Sequence, residues 1–190
     1  MKQIYDMLKL ENIKILAGVK DWKEAIYTAV QPLVDGGYCE ARYSDEIIKN
    51  TEKLGPYYVL CENVALIHGS TEQGVIKRQI AITLLKEPVK FKEDGYDVRI
   101  LVTLAATDAE SHMEVLQAMS ELFESKESTQ RVLDASNEKE IYDSRAYRSN
   151  GCFYGNDCFR RTMGTEHHRL VVAGRQRLLP GIPVEMAGWK

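Results

Sequence analysis

One run narrows the folds open to this chain more than any other. Residues Val98–Ala106 read Val-Arg-Ile-Leu-Val-Thr-Leu-Ala-Ala, almost continuously apolar. A strand with one wet face alternates apolar and polar side chains. A run like this one needs apolar cover on both faces, as in the middle of a sheet enclosed by helices. The flanking segments supply those helices. From Asp21 to Val34, Trp22, Ile26, Ala29, Val30 and Leu33 form one helical face. Asp21 and Glu24 have capping-box spacing, Pro32 is placed to kink the last turn, and Gly36-Gly37 ends the helix. A second helix is expected from Ser44 to Leu54, stopped by Gly55. Strand-like runs follow at Tyr57–Cys61, Val64–His68 and Gln79–Leu85, the last with Ile80, Ile82 and Leu84 on one face. After Val98–Ala106, Thr107 and Glu110 form a second capping-box pattern. It opens a helix with Met113, Val115, Leu116, Met119, Leu122 and Phe123 as its apolar positions. A helix from about Ser128 and a short one near Asn137 complete the pattern. Helices, then strands, then helices define an α/β fold: a mixed β-sheet flanked by helices on both faces, in a single domain.

The composition changes near residue 145. Residues 1–144 hold 13 Lys and 4 Arg against 25 acids, net −8; residues 145–190 hold 1 Lys and 7 Arg against 3 acids, net +5. Residues 1–144 are therefore read as the folded domain. Residues 145–190 are read as an atypical basic tail, disordered or aberrant, such as translation in a shifted frame or an unrelated appendage would produce. The overall net charge of −3 argues against general nucleic-acid affinity. No apolar run approaches the roughly 20 residues of a membrane span, and Met1–Asp6 lacks a signal pattern. Four cysteines without a Cys-x-x-Cys motif suit a reduced, cytoplasmic protein.

His68 is the first place to look for chemistry. The apolar run Val64-Ala65-Leu66-Ile67 delivers its imidazole to the Gly69-Ser70-Thr71 loop, which puts a nucleophile at a strand end. The chain has no phosphate-binding loop with its Lys-Ser/Thr, no paired metal-ligand motif and no nucleophile elbow. His112 falls in the first turn of the helix after the central-strand run. Strand ends and the helix N-termini beside them gather ligands, and such a terminus favours phosphate. A neutral imidazole is a good nucleophile near pH 7, and phosphoryl transfer asks mainly for positioning and charge stabilisation. The bland readings are a structural histidine for His68 and an ordinary helix residue for His112. Cys61 reads as a small core residue, and Glu62 and Glu72 as solvated loop carboxylates. Cys152, Cys158, His167 and His168 do not match common zinc spacings.

Residues Gly55-Pro56-Tyr57-Tyr58-Val59-Leu60, Val64–Gly69 and Glu72-Gln73-Gly74-Val75 resemble the enzyme IIA components of the bacterial phosphotransferase system. The likeness is to the mannitol/fructose type, in its ascorbate-like branch. It continues through Asp21–Ile26, Tyr43, Ile47-Ile48, Ala81–Leu85, Ala105–Asp108, Ser111-His112, Leu116 and Leu122-Phe123. It implies a cytoplasmic phosphohistidine carrier over residues 1–144. HPr would pass a phosphoryl group to His68, which would hand it to a cysteine of an enzyme IIB partner for sugar uptake, of an ascorbate-like sugar or another, through membrane enzyme IIC. His112 matches the family's second histidine beside the phosphohistidine. Gly69, Ser70, Thr71 and Lys49 would support the phosphate, with no metal or cofactor and no nucleic-acid partner; a homo-oligomer is compatible with this reading. Three positions depart from the family pattern. Ile67 stands where proline is usual, Ser70 where ascorbate-like members often carry Arg, and Ile48-Lys49-Asn50 where the mannitol type has Arg. These departures imply slowed or altered transfer. The rival reading is a regulatory enzyme IIA-like protein whose His68 phosphorylation state controls a binding partner.

Overall fold

The structure, a computed structural model, describes residues 7–108, 110, 112, 113, 115, 119, 123 and 125–144. The 145–190 segment, with Cys152, Cys158, His167 and His168, lies outside them, as do Leu116 and Leu122. The elements in chain order are β1 (Leu8–Leu16), α1 (Trp22–Asp35), α2 (Arg42–Leu54), β2 (Val59–Cys61) and β3 (Asn63–His68). They continue with β4 (Gln79–Lys90), β5 (Asp97–Ala105), α3 (Lys126–Asp134) and α4 (Glu138–Ser144). Residues 110, 112, 113, 115 and 119 are also helical.

Among the described residues, five strands form one mixed sheet in the order β1-β4-β5-β3-β2. β1 runs parallel to β4 and β3 parallel to β5, while the β4–β5 and β2–β3 pairs are antiparallel. The long apolar run is the middle strand, and its residues divide between two cores. Leu101 and Ala105 pack with Ala25, Ile26, Ala29 and Leu33 of α1 and Tyr43 and Ile47 of α2. Ile100, Val102 and Leu104 pack with Val115, Met119, Phe123, Val132, Leu133 and Ile141. The central strand is thus dry on both sides, which is why its sequence shows no alternation. Even the hydroxyl of its buried Thr103 is satisfied inside by donating to Ala29 O at 3.0 Å.

Three elements differ from their sequence patterns. β1 carries no legible alternation, because Lys9, Glu11 and Lys14 punctuate it and its register shifts between Leu8 and Ile13. Its buried Asn12 is held by a bond from Nδ2 to Ile80 O. β4 runs five residues past Leu85. The stretch Lys86-Glu87-Pro88 is exposed and breaks the register, and pairing resumes with Val89 opposite Val98. At α1, Asp21 accepts from the N–H groups of Lys23 and Glu24, both at 3.0 Å. The Glu24 carboxylate reaches back to Lys20 N rather than to the cap itself.

The register matters most for function. In the parallel β3–β5 pair, His68 lies opposite Leu104. The C-terminal ends of both strands, and the start of antiparallel β4 at Gln79 opposite Ala105, therefore share one end of the sheet. This is the end at which parallel sheets place ligands. Leu101→Ala, at a side chain with no exposure, is expected to lower unfolding free energy by about 3 kcal/mol. Leu10→Ala, at an exposed site of β1, is expected to cost less than about 0.5 kcal/mol. Urea denaturation of the two variants checks both.

Candidate functional site

β3 alternates Leu66 into one core and Ile67 into the other, so His68 points to the face covered by the helical residues after β5. There its ring meets His112, with centroids 5.1 Å apart and planes inclined by 58°. His112 is set by the turn itself, since its N–H donates to Asp108 O at 3.1 Å. Thr107, at the same corner, donates its hydroxyl to the Asp108 carboxylate at 2.9 Å. The two histidines proposed from sequence thus share one site at the ends of β3 and β5.

The His68 ring is oriented by its own strand. Nδ1 lies 2.8 Å from Leu66 O. A carbonyl oxygen only accepts, so Nδ1 carries the proton and the neutral ring places its lone pair on Nε2. Tyr57 closes another side. Its ring stands edge-on to the imidazole at 5.5 Å and 89°, and its hydroxyl donates to His68 O at 3.1 Å.

The turn after His68 is tied to α2 rather than left open. The Tyr43 hydroxyl donates to Leu104 O at 2.8 Å and accepts from Gly69 N at 2.9 Å, so one buried group joins the ends of β5 and β3. Burial pushes that phenol well above its ordinary pKa, opposed in part by the Gly69 N–H, and it remains a protonated donor. Gln73 Oε1 accepts from Ser70 N at 2.8 Å. Gln73 and Asn50 exchange two amide hydrogen bonds at 3.0 and 3.2 Å. Thr71 Oγ1 donates to Ala106 O at 3.4 Å, across to the corner that carries Thr107.

This geometry sorts the residues expected to support phosphate. The N–H groups of Gly69 and Ser70 are turned to Tyr43 and Gln73. Lys49 is exposed and pairs with Glu46 at 2.6 Å, which raises its ammonium pKa. Asn50, its neighbour, reaches the loop through Gln73, as Tyr43 does through Gly69. Ile67, where the resemblance implies proline, is fully buried, so it contributes core packing, and the turn is held by Tyr43 and Gln73. Cys61 is buried, and Glu62 and Glu72 are exposed. Among the described residues, no group of three or more His, Cys, Asp or Glu side chains is arranged to hold a metal. The roles of Tyr43, Asn50, Gln73 and Tyr57 are announced by no motif, yet two signals are present in the sequence. Tyr43, Ile47 and Asn50 recur at helical spacing, and Ser70-x-x-Gln73 has the spacing of a capping box.

Gly69 has no room for a side chain. A Cβ there would lie 2.7 Å from Gln73 Oε1, 3.0 Å from the Tyr43 ring and 3.2 Å from Ile47. Gly69→Ala is expected to cost about 1–3 kcal/mol. Tyr43→Phe, which strips partners from Leu104 O and Gly69 N, is expected to cost about 2 kcal/mol. Equilibrium unfolding measures both losses. The Gly69 N–H should exchange with solvent faster in Tyr43→Phe than in the unmutated protein.

The sequence matches the family described as phosphoenolpyruvate-dependent sugar phosphotransferase system, EIIA 2, over residues 6–144. It is 35% identical over 141 residues to the mannitol-specific cryptic phosphotransferase enzyme IIA component of Escherichia coli K12, covering 74% of this chain and 96% of that protein. The solution structure of that enzyme IIA superposes with a TM-score of 0.69 over the same shares of the two chains. The ascorbate-specific EIIA component of the same organism is 35% identical over 145 residues, covering 75% of this chain and 94% of that one. The E. coli complex of mannitol enzyme IIA with phosphorylated mannitol enzyme IIB contains a chain 28% identical to this one. It aligns with a TM-score of 0.66, covering 74% of this chain and 98% of that chain. On this sequence and fold the chain belongs to the EIIA 2 family of the sugar phosphotransferase system, whose members are phosphotransferase components that carry phosphoryl groups.

Proposed function

We propose that His68 is the phosphoryl relay of this enzyme IIA, accepting from phospho-HPr and donating to a cysteine of an enzyme IIB, and so feeding sugar uptake through membrane enzyme IIC in the cytoplasm. The observation that carries this reading is the bond from His68 Nδ1 to Leu66 O, with the His112 ring alongside. It leaves Nε2 as the nucleophile. In the first step the Nε2 lone pair attacks phosphorus, the N–P bond to the donor imidazole breaks, and that electron pair returns to the donor ring. Positive charge developing on the His68 ring is met by the Leu66 carbonyl at Nδ1–H. In the second step the enzyme IIB thiolate attacks phosphorus and neutral His68 departs. Neither step needs a net proton at His68, so the site's task is alignment and charge stabilisation.

In this reading His112 holds phosphoryl oxygens and the Ser70 hydroxyl is the neutral donor nearest in sequence, while Thr71 would have to exchange its bond to Ala106 O for one to the phosphoryl group. Gly69 acts through the shape of the turn, and Lys49 contributes positive charge from the exposed side of α2. The loop into β4 adds exposed Lys77 and Arg78. Ile76, in the same loop, and Met113, next to His112, are exposed apolar side chains of the kind that docking of a protein partner uses.

The test is incubation with phosphoenolpyruvate, enzyme I and HPr, followed by intact mass measurement. The unmutated protein should gain one acid-labile phosphoryl group, and His68→Ala none. His112→Gln should still gain it, with a rate lowered about 100-fold. Absence of phosphate on the unmutated protein contradicts the reading. Phosphate that forms but passes to no enzyme IIB cysteine points instead to the regulatory role.

A further inference from the structure

The His68 imidazole belongs to a line of rings that begins in the core. Buried Phe91 meets Tyr58 at 5.6 Å and 89°, and Tyr58 meets Tyr57 at 5.1 Å and 72°. Tyr57 meets His68 at 5.5 Å and 89°, and His68 meets His112 at 5.1 Å and 58°. The edge-on contacts are the arrangement that ring quadrupoles favour. The line is anchored at its inner end. Thr51 spends its only hydroxyl proton on Ile47 O at 2.8 Å, so the bond of 2.8 Å between Thr51 and Tyr58 is donated by Tyr58. A fully buried ring is thereby pinned to α2, and Tyr57 is seated against it.

Tyr57 also takes over where the hairpin ends. The backbone bonds between β2 and β3 reach their last rung with Leu66 N on Tyr58 O at 2.9 Å. One residue further out, the Tyr57 side chain supplies the next tie, from its hydroxyl to His68 O. Burial raises the phenol pKa to about 12, so this donor is present throughout the physiological pH range. Tyr57 therefore holds His68 at two points, the imidazole by its ring and the main chain by its hydroxyl.

We propose that Tyr57 is a positioning residue for phosphoryl transfer, fixing the direction of the His68 imidazole against a ring line rooted in the core. This rests on the reading of His68 as the phosphoryl carrier. A side chain that merely filled space would support stability alone. A positioning side chain also controls the rate at saturating donor and the state of the imidazole.

The test compares Tyr57→Phe, which keeps the ring, with Tyr57→Leu, which removes both holds. Uptake from phospho-HPr is followed by rapid quench over a range of donor concentrations, and the His68 ring nitrogens by 15N NMR. Tyr57→Leu should lower kcat about tenfold with KM within about twofold, and Tyr57→Phe should lower it about threefold. The 15N signals should show the Nδ1–H tautomer in the unmutated protein and a mixture of tautomers in Tyr57→Leu. The proposal is overturned if both variants keep the original kcat and ring signals, or if the loss appears only in KM. Should Tyr57→Leu not fold, Tyr57→Phe decides alone, and original values for its kcat and ring signals overturn the proposal. If the unmutated protein takes no phosphate on His68, the reading of the site falls; the ring signals of the variants then still decide whether Tyr57 orients the imidazole.

Discussion

The site depends on the parallel pairing of β3 with β5, in the register that sets His68 opposite Leu104. Parallel neighbours end on the same side of a sheet, so this pairing alone brings the histidine at the end of one strand to the corner that follows the other. A one-residue slip would turn His68 into the opposite core. The register is secured from outside the ladder as well. Tyr43 bonds Leu104 O and Gly69 N with one hydroxyl, and Thr71 reaches Ala106 O. Each such bond contributes about 1 kcal/mol. They are formed at the strand ends, where ladders otherwise fray.

The chemistry proposed for the site uses little charge. The family resemblance implies a proline and two arginines where this chain has Ile67, Ser70 and Lys49. The supports seen around the turn are neutral and geometric: a buried isoleucine, a phenol joining two strand ends, and the Asn50–Gln73 amide pair bracing the turn. A relay must release the group that it takes up. Binding energy spent on alignment serves transfer in both directions, whereas a strong ionic grip on the carried phosphoryl group would deepen the intermediate.

The layered architecture was legible because burial wrote it directly into the sequence. The unbroken apolar run of β5 demanded two covered faces, and α1 showed its buried stripe from Trp22 to Leu33. His68 and His112 were legible for a related reason, since each follows directly from a strong pattern, the end of an apolar run or the first turn of a capped helix. β1 escaped because an edge strand with a register shift needs no clean alternation. The last five residues of β4 escaped because Lys86-Glu87-Pro88 sit at a break. The supports of His68 were hidden for another reason. Tyr57, Asn50 and Gln73 act through contacts 11 to 23 residues apart in sequence, and only the folded register brings those partners together.

The central claim is that Leu66 O holds the proton on Nδ1 of His68 and leaves Nε2 to carry the phosphoryl group. The most direct measurement is 15N and 31P NMR of the phosphorylated protein, which distinguishes the two ring positions of phosphohistidine. The account predicts a single Nε2-phosphohistidine at His68, with Nδ1 still protonated and bonded to Leu66 O. Phosphorylation at Nδ1, or at any residue other than His68, would contradict it.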